Sequence, residues 1–295
     1  MTLDEKYERL QEDLRALESV VVAFSAGADS TLLLKVALDV LGPVNVVAVT
    51  GKSDSLARRE LDQAKELAAV YGTEHVLIET DEFDNPAYVA NPTNRCYLCK
   101  TTLYEHLGEF AERRGIKAVV SGSNADDLGD YRPGMQAAAE HRVHAPLVKA
   151  GLTKAEVRKL SLRLGLPTYD KPASPCLSSR IPYGEPVTPE KLRTVEAAEA
   201  FLHELGIREC RVRHHGNLAR IEVPPEQFMH LADPVVAARV DEHFRSLGYT
   251  YVALDLRGFR SGSLNEVILP EAVSYQPSAG KDPRLSLTDD LDGPG

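Results

Sequence analysis

The stretch Val20-Val21-Val22-Ala23-Phe24-Ser25-Ala26-Gly27-Ala28-Asp29-Ser30-Thr31-Leu32-Leu33-Leu34 changes character half-way along. A β-branched apolar run reads as a buried strand, a small-residue turn follows, and a leucine-rich helical pattern begins near Asp29. A strand feeding a helix through such a turn aims free backbone N–H groups and a helix N-terminus at one point, which suits a phosphate or pyrophosphate. Ser25, Asp29 and Ser30 add side-chain oxygens for hydrogen bonds or a metal ion. The competing reading is a plain connection whose helix is capped by Asp29 or Ser30. A Walker-type loop is excluded, because no Gly-Lys-Ser/Thr follows.

Working outward, the same alternation repeats. Leu3, Tyr7, Leu10, Leu14 and Leu17 recur at helical spacing, and 44–51 reads as a buried strand after a Gly42-Pro43 helix stop. An amphipathic helix is expected over 55–71, a strand over 75–80, a helix over 104–114 and a strand over 117–121. Strands alternating with helices predict an α/β fold with a doubly wound parallel sheet. Ligands of such sheets sit at the carboxyl ends of the strands. The Ser25 loop, Thr50-Gly51-Lys52-Ser53 and Ser121-Gly122-Ser123-Asn124-Ala125-Asp126-Asp127 all fall there, although each alone also fits an ordinary polar turn.

The proline-dense segment Lys171-Pro172-Ala173-Ser174-Pro175-Cys176-Leu177-Ser178-Ser179-Arg180-Ile181-Pro182-Tyr183-Gly184 forbids a long regular element. It divides the chain into a larger domain (1–170), a functional connecting loop (171–187) and a second, smaller α+β domain (188–270). In the last, a helix over 189–205 precedes strands 210–215 and 218–223 joined at Gly216-Asn217, then a helix over 234–247 and a strand over 249–255. A ferredoxin-like order is one reading. The polar tail, 271–295, is expected to be disordered.

With 295 residues, two domains are the natural prior, and 43% hydrophobic content is ample for a core. No stretch approaches the roughly 20 apolar residues that span a bilayer, and the charged N-terminus lacks a signal core. A soluble, cytoplasmic protein without membrane association is expected. Net charge is −10, from 34 basic and 44 acidic residues. That field opposes long polyanions, so no nucleic-acid partner is expected, while a small anion remains open to a local arginine pocket.

Four cysteines do not make a disulfide scaffold in a chain of this length. Asn94-Arg95-Cys96-Tyr97-Leu98-Cys99-Lys100 holds a C-x-x-C pair, while Cys176 and Cys210 stand alone. Four readings of the pair stand open: a zinc site completed by Cys176 and a histidine, a redox pair, plain buried cysteines, and a [4Fe–4S] cluster on three thiolates with one open iron. Cys176 lies beside Ser178, Ser179 and Arg180, a poor place for inert packing. A reactive or ligating role is expected there, with Arg180 favouring the thiolate. Cys210, at a strand edge, is read as structural. The i, i+2 spacing of Arg211 and Arg213 puts two guanidiniums on one strand face, suited to an anion or else simply solvated. Glu199 and Glu222 carry no signal by themselves, and His214-His215 reads as a turn cap.

Taken together these residues resemble the LarE-type family of sulfur transferases within the PP-loop ATP pyrophosphatase superfamily, whose fold is adenine nucleotide alpha-hydrolase-like. The loop at Ser25 is similar to the S-G-G-x-D-S pyrophosphate loop, with Ala26 where the first glycine is usual. The loop is therefore read as intact provided residue 26 sits at negative φ. The likeness runs through the 94–100 motif, Asp126-Asp127-Leu128-Gly129-Asp130-Tyr131-Arg132-Pro133-Gly134, the Cys176–Gly184 stretch, Arg211-Val212-Arg213 and the 257–265 segment.

The resemblance implies an enzyme that uses ATP to adenylate the carboxylates of pyridinium-3,5-biscarboxylic acid mononucleotide, releasing pyrophosphate. Sulfur then displaces AMP, giving thiocarboxylates for the nickel-pincer cofactor of lactate racemase. Some members sacrifice the sulfur of one cysteine, matching Cys176, and others relay sulfide through a [4Fe–4S] cluster on three. Cys96, Cys99 and Cys176 imply the cluster type, with these residues as ligands and, with Asp29, as the catalytic set. By the same resemblance Ser25, Gly27, Asp29 and Ser30 cradle phosphates and Mg²⁺, and Gly122 and Asp127 border the nucleotide. Ser179, Arg180, Arg211 and Arg213 meet the substrate phosphate, near Glu199 and Glu222. A homo-oligomer is implied, trimer-based hexamers being usual. The sulfide donor is not implied. Alternative classes are a tRNA thiolase, which lacks support from any basic, aromatic-interleaved stripe, an amide-forming ligase of the NAD or GMP synthetase kind, and a non-catalytic nucleotide-binding regulator.

Overall fold

The structure, a computed structural model, describes residues 1–129, 133–260 and 263–264. Asp130, Tyr131 and Arg132 of the quoted motif, most of the 257–265 segment beyond Arg260, and the tail read as disordered lie outside the described residues. Met1–Arg260 forms one compact unit.

The elements run α1 (Leu3–Ala16), β1 (Val20–Ala23), α2 (Ala28–Leu41), β2 (Val46–Lys52), α3 (Arg58–Val70), β3 (Glu74–Glu79), α4 (Pro86–Val89), α5 (Arg95–Arg114) and β4 (Ala118–Ser121). Then come α6 (Pro133–Glu140), α7 (Pro146–Lys149), α8 (Lys154–Arg163), α9 (Pro189–Glu204), β5 (Arg211–His215), β6 (Leu218–Glu222), α10 (Phe228–Ala232), α11 (Pro234–Ser246) and β7 (Tyr251–Leu254).

The first four strands form a parallel sheet in the order β3-β2-β1-β4. β1 is central, so its valines must be buried on both faces. Val20 and Val22 join a core with Leu32 and Leu33 of α2 and Leu160 of α8, while Val21 joins a separate core with Tyr104 and Leu107 of α5. This is the α/β architecture expected from the alternation. Because the chain steps from β1 to β2 and β3 on one side and places β4 on the other, the order reverses between β1 and β4. Ligands of open α/β sheets bind at the carboxyl ends of the strands beside such a point.

The second sheet has the order β5-β6-β7. β5 and β6 pair antiparallel across Gly216-Asn217, with Arg213 opposite Arg220, and β6 and β7 pair parallel through the α11 crossover. Its core gathers Ala198 and Leu202 of α9, Val212, Ile221 and Phe244. Between the sheets, 171–187 stays irregular apart from one 3₁₀ turn at Leu177–Arg180, yet Leu177, Ile181 and Val187 are buried against Leu192 and Val195 of α9. Among the described residues no helix is long and apolar enough to cross a membrane.

The proviso of a negative φ at residue 26 is not met. Ala26 has φ +55°, the left-handed region, and is fully buried. The turn that swings the chain from β1 into α2 demands that conformation whatever residue occupies it, and here an alanine carries its cost of about 1–2 kcal/mol. Replacing it by glycine relieves that cost but removes a buried methyl worth about 0.8 kcal/mol and loosens the unfolded chain. Urea unfolding of Ala26→Gly is thus expected within about 1 kcal/mol of the parent. Ala26→Val, β-branched at positive φ in a packed core, is expected to lose more than about 2 kcal/mol. Equal midpoints for the two variants would contradict the strain.

Candidate functional site

At the β1–α2 turn, Gly27 is the N-cap of α2 and makes no side-chain cap bond. The capped-connection reading therefore does not hold, and the first-turn N–H groups of α2 lack a capping side chain, the arrangement that favours an anion. Ser25 and Ser30 close the loop: Ser30 Oγ accepts from Ser25 N at 3.3 Å and lies 3.1 Å from Ser25 Oγ. Asp29 is held from outside the loop. Its Oδ1 accepts from Asn124 Nδ2 at 3.1 Å and its Oδ2 pairs with Lys154 Nζ. Asp127 Oδ2 in turn accepts from Asn124 N at 2.9 Å.

Gly122, just past β4, explains itself by distance. A Cβ there would lie 2.8 Å from Ser30 N and 3.0 Å from Ser30 Cα, both backbone atoms. Only glycine lets the β4 end approach the turn so closely. The structure thus brings Ser25, Gly27, Asp29, Ser30, Gly122 and Asp127 to one place, at the switch point of the sheet. Asn124, from the same strand end, joins them, and so does Lys154, which nothing in the sequence pattern singles out. The sequence does mark where its helix begins: Thr153 and Glu156 form a capping box that starts α8.

The C-x-x-C pair sits on the first turns of α5, which begins at Arg95, nine residues before the sequence pattern suggested. Cys96 and Cys99, three apart on a helix, share a face. The neighbouring Arg95, 2% exposed, points into the structure. Its Nη1 donates to Ser178 O at 3.0 Å and to Asn91 Oδ1. Asn91 Nδ2 donates to Pro182 O at 2.7 Å, and the Tyr88 hydroxyl lies 2.9 Å from Ser178 Oγ. These three buried side chains dock the 176–182 segment beside α5. None of them announces itself in the sequence, since their partners are backbone and hydroxyl oxygens about 90 residues away.

The docking places Cys176 within electrostatic reach of both other thiols. Burial pushes the Cys99 thiol up to about 12, helped by the Glu82 carboxylate and by Cys176. The Cys96 thiol, on a residue that is itself exposed, is also raised, by desolvation from the atoms around its sulfur and then by Cys176, against the opposing pull of Arg95 and Lys100. Among the described residues no three His, Cys, Asp or Glu side chains stand close enough to hold a metal ion. Cys210 is buried, with Sγ 3.9 Å from His203 Nε2, and burial raises its thiol strongly, as befits a packing residue. His214 and His215 cap no turn: both lie in β5, and His214 Nδ1 bonds the Tyr249 hydroxyl at 3.0 Å.

Arg180 and Arg213 are buried, not solvated, and each makes a two-pronged pair with a buried glutamate. Arg180 Nε and Nη2 reach the Glu199 carboxylate at 2.8 and 3.0 Å, and Arg213 Nε and Nη2 reach that of Glu222 at 3.0 and 2.9 Å. Arg180 Nη1 also donates to Pro175 O, Cys176 O and Ser179 Oγ, and Arg213 Nη1 donates to Ser179 O at 2.6 Å. Arg211 differs. It donates to Arg260 O at 3.3 Å and stacks 4.5 Å from the Phe259 ring centre, with no carboxylate partner among the described residues. Desolvation and the charges of Arg213 and Arg180 hold its guanidinium down at about 10. Glu222 is shared with Arg220 Nη2 at 3.2 Å, and Arg220 and Arg260 also pair with Asp255, so among these arginines Arg211 is the guanidinium without a carboxylate partner among the described residues. It lines a cavity of about 860 Å³ together with Lys171, Pro172, Arg180, Glu199 and Cys210. Neither Ser25–Ser30 nor the C-x-x-C pair lines that cavity.

No family model matches the sequence. The pyridinium-3,5-bisthiocarboxylic acid mononucleotide synthase of Lactiplantibacillus plantarum is 40% identical over 267 residues, 90% of this chain and 96% of that protein. The chain belongs to that family, the LarE-type sulfur transferases. An uncharacterized protein of Synechocystis is 48% identical over 266 residues, 90% of this chain and 99% of its own. A component of the glutamine-hydrolyzing GMP synthase of Thermoplasma volcanium is 28% identical over 215 residues, 67% of this chain and 68% of its own, in keeping with a PP-loop α/β fold. Membership makes the chain one of an ATP-dependent enzyme family, and the sheet, turn and strand-end geometry agree with it.

The raised thiol has a pH signature. At pH 8.5, Cys99 of the metal-free protein is expected to react with iodoacetamide roughly a thousandfold more slowly than an ordinary thiol of pKa near 9. Its rate should climb about tenfold per pH unit towards pH 12. Mass spectrometry showing a plateau below pH 10 would contradict the burial account.

Proposed function

We propose that this protein activates the carboxylates of pyridinium-3,5-biscarboxylic acid mononucleotide with ATP and converts them to thiocarboxylates, a product of the kind for which its Lactiplantibacillus relative, a pyridinium-3,5-bisthiocarboxylic acid mononucleotide synthase, is named. The observation that carries the reading is the pairing of a pyrophosphate-type turn at the sheet's switch point with a thiol set docked through Arg95. In the first step a substrate carboxylate oxygen attacks the α-phosphorus of ATP and pyrophosphate departs. Ser25, Gly27 and Ser30, with the α2 N-terminus, receive the β,γ-phosphates, and Asp29 exchanges its Lys154 pair for Mg²⁺. Gly122 and Asp127 border the nucleotide. In the second step a sulfur nucleophile adds to the acyl carbon and AMP leaves, because a phosphate ester is a far better leaving group than oxide.

Cys96, Cys99 and Cys176 are the sulfur-handling residues of this reading. Three thiols flanked by Arg95 and Lys100 are the right donor chemistry for a [4Fe–4S] cluster, which when bound would offer an open iron for sulfide. As arranged, the three are not gathered for an ion, so binding requires the Cys176 segment to shift towards α5. The mononucleotide phosphate is assigned to Arg211 and Ser179. Arg180 and Arg213, whose charge is balanced by Glu199 and Glu222, shape that pocket. The protein is read as a cytoplasmic homo-oligomer acting on a small molecule and not on nucleic acid, in line with its net charge of −10.

Three measurements test this. Anaerobic incubation with ATP and the biscarboxylate mononucleotide is expected to release pyrophosphate and yield thiocarboxylate by mass spectrometry. Iron and sulfide analysis after reconstitution is expected to lose the bound iron in Cys96→Ala. Arg211→Gln should raise the KM for the mononucleotide at least about tenfold, one unpaired guanidinium–phosphate contact being worth more than about 1.4 kcal/mol, and leave that for ATP within twofold. Equal effects on both substrates would overturn the phosphate assignment.

A further inference from the structure

Lys171 has no part in the roles above, yet its ammonium is committed as fully as any group in the protein. Its side chain is 13% exposed. Nζ donates to three oxygens: Glu60 Oε2 at 2.7 Å, Gln63 Oε1 at 2.5 Å and the backbone carbonyl of Ala26 at 3.0 Å. An ammonium has three N–H bonds, and all three are used. The third partner is the notable one. Ala26 is the strained left-handed residue of the pyrophosphate turn, so the cation grips the peptide between residues 26 and 27 at the point where its conformation is costliest.

Downstream of this anchor, Pro172, Ala173, Ser174 and Pro175 are exposed, and the chain is caught again at Arg180, which donates to Pro175 O at 2.7 Å and Cys176 O at 3.2 Å. Upstream, Lys171 N donates to Thr168 O at 3.1 Å, so the backbone at the near end is fixed as well. A four-residue span carrying two prolines between two fixed ends behaves as a stiff strut, because each ring locks φ. Displacement of the 26–27 peptide has an unbroken route to residue 176.

We propose that Lys171 is a positioning residue that couples occupancy of the pyrophosphate turn to the placement of Cys176. When phosphate draws the N–H groups of the turn towards itself, the Ala26 carbonyl moves with its peptide, Lys171 follows or lets go, and the strut shifts the cysteine. By linkage, anything that fixes Cys176 must alter nucleotide affinity by the same factor. This rests on the reading of the turn as the ATP site.

The test measures the rate of Cys176 alkylation by mass spectrometry in iron-free protein, with and without saturating Mg²⁺ and α,β-methylene ATP, alongside nucleotide binding by equilibrium dialysis. Wild type is expected to show about a fivefold slowing by nucleotide, the lower end of ordinary coupling. Lys171→Met should bind the analogue yet show less than a twofold effect, and Lys171→Arg should restore part of it. Should Lys171→Met fold poorly, the double variant Pro172→Gly/Pro175→Gly leaves both anchors in place and is expected to lose the coupling by loosening the strut. A nucleotide effect of wild-type size in Lys171→Met or in the double glycine variant overturns the proposal, as does wild type that binds nucleotide without any change at Cys176. Failure of wild type to bind the analogue would overturn the reading of the turn itself, and the coupling with it.

Discussion

The buried pair between Arg180 and Glu199 is the constraint around which the site is built. A guanidinium and a carboxylate taken out of water cost several kcal/mol each in lost hydration, recovered only where geometry and extra hydrogen bonds are both good. Both conditions hold: two parallel N–H···O contacts join the pair, Val212 N donates to Glu199 Oε1 at 2.9 Å, and the remaining Arg180 nitrogen serves the carbonyls around Cys176. Loss of either partner would strand a buried charge, a penalty of about 3–5 kcal/mol. The pair therefore ties α9 and β5 to the proline-rich segment, and Arg95 ties that segment's other side to α5. An irregular stretch with no backbone ladder of its own becomes a placed element.

The opposite end of the site stores cost in place of shedding it. The β1–α2 turn keeps a left-handed alanine, leaves the α2 N-terminus without a capping side chain and admits the β4 end only because residue 122 lacks a Cβ. Strain persists where surrounding structure over-determines it, and it tends to gather where a ligand is to be received. Both anchors of residue 26, its burial in the core and the Lys171 ammonium, supply that determination.

Much of this was readable in the chain. Valine runs, the Gly42-Pro43 stop and the leucine stripe of α2 specify a parallel sheet, and the polar strand ends already pointed to its carboxyl edge. The C-x-x-C spacing and the lone cysteine in a proline-rich loop marked the thiols. What escaped detection shares one cause: partners far away in sequence. Arg95, Asn91 and Tyr88 look unremarkable until Ser178 and Pro182 lie against them. The i, i+2 arginines on β5 read equally well as a solvated face, and only burial beside glutamates from α9 and β6 separates Arg211 from its neighbours. The start of α5 was missed because cysteine, tyrosine and threonine are middling helix formers, and tertiary packing overrode propensity there. An alanine by its own preference favours negative φ, and the turn imposes the reverse at Ala26.

The clamp formed by Arg95, Arg180 and their partners holds Cys176 near the C-x-x-C helix, though short of a shared ion site, before any cofactor or substrate is present. Treating the metal-free protein with a short bifunctional thiol cross-linker and mapping the peptides by mass spectrometry tests it directly. Cross-links joining Cys176 to Cys96 or Cys99 are the expected result, and they should vanish when Arg95→Met releases the segment. Efficient capping of all three thiols with no link involving Cys176 would contradict the account.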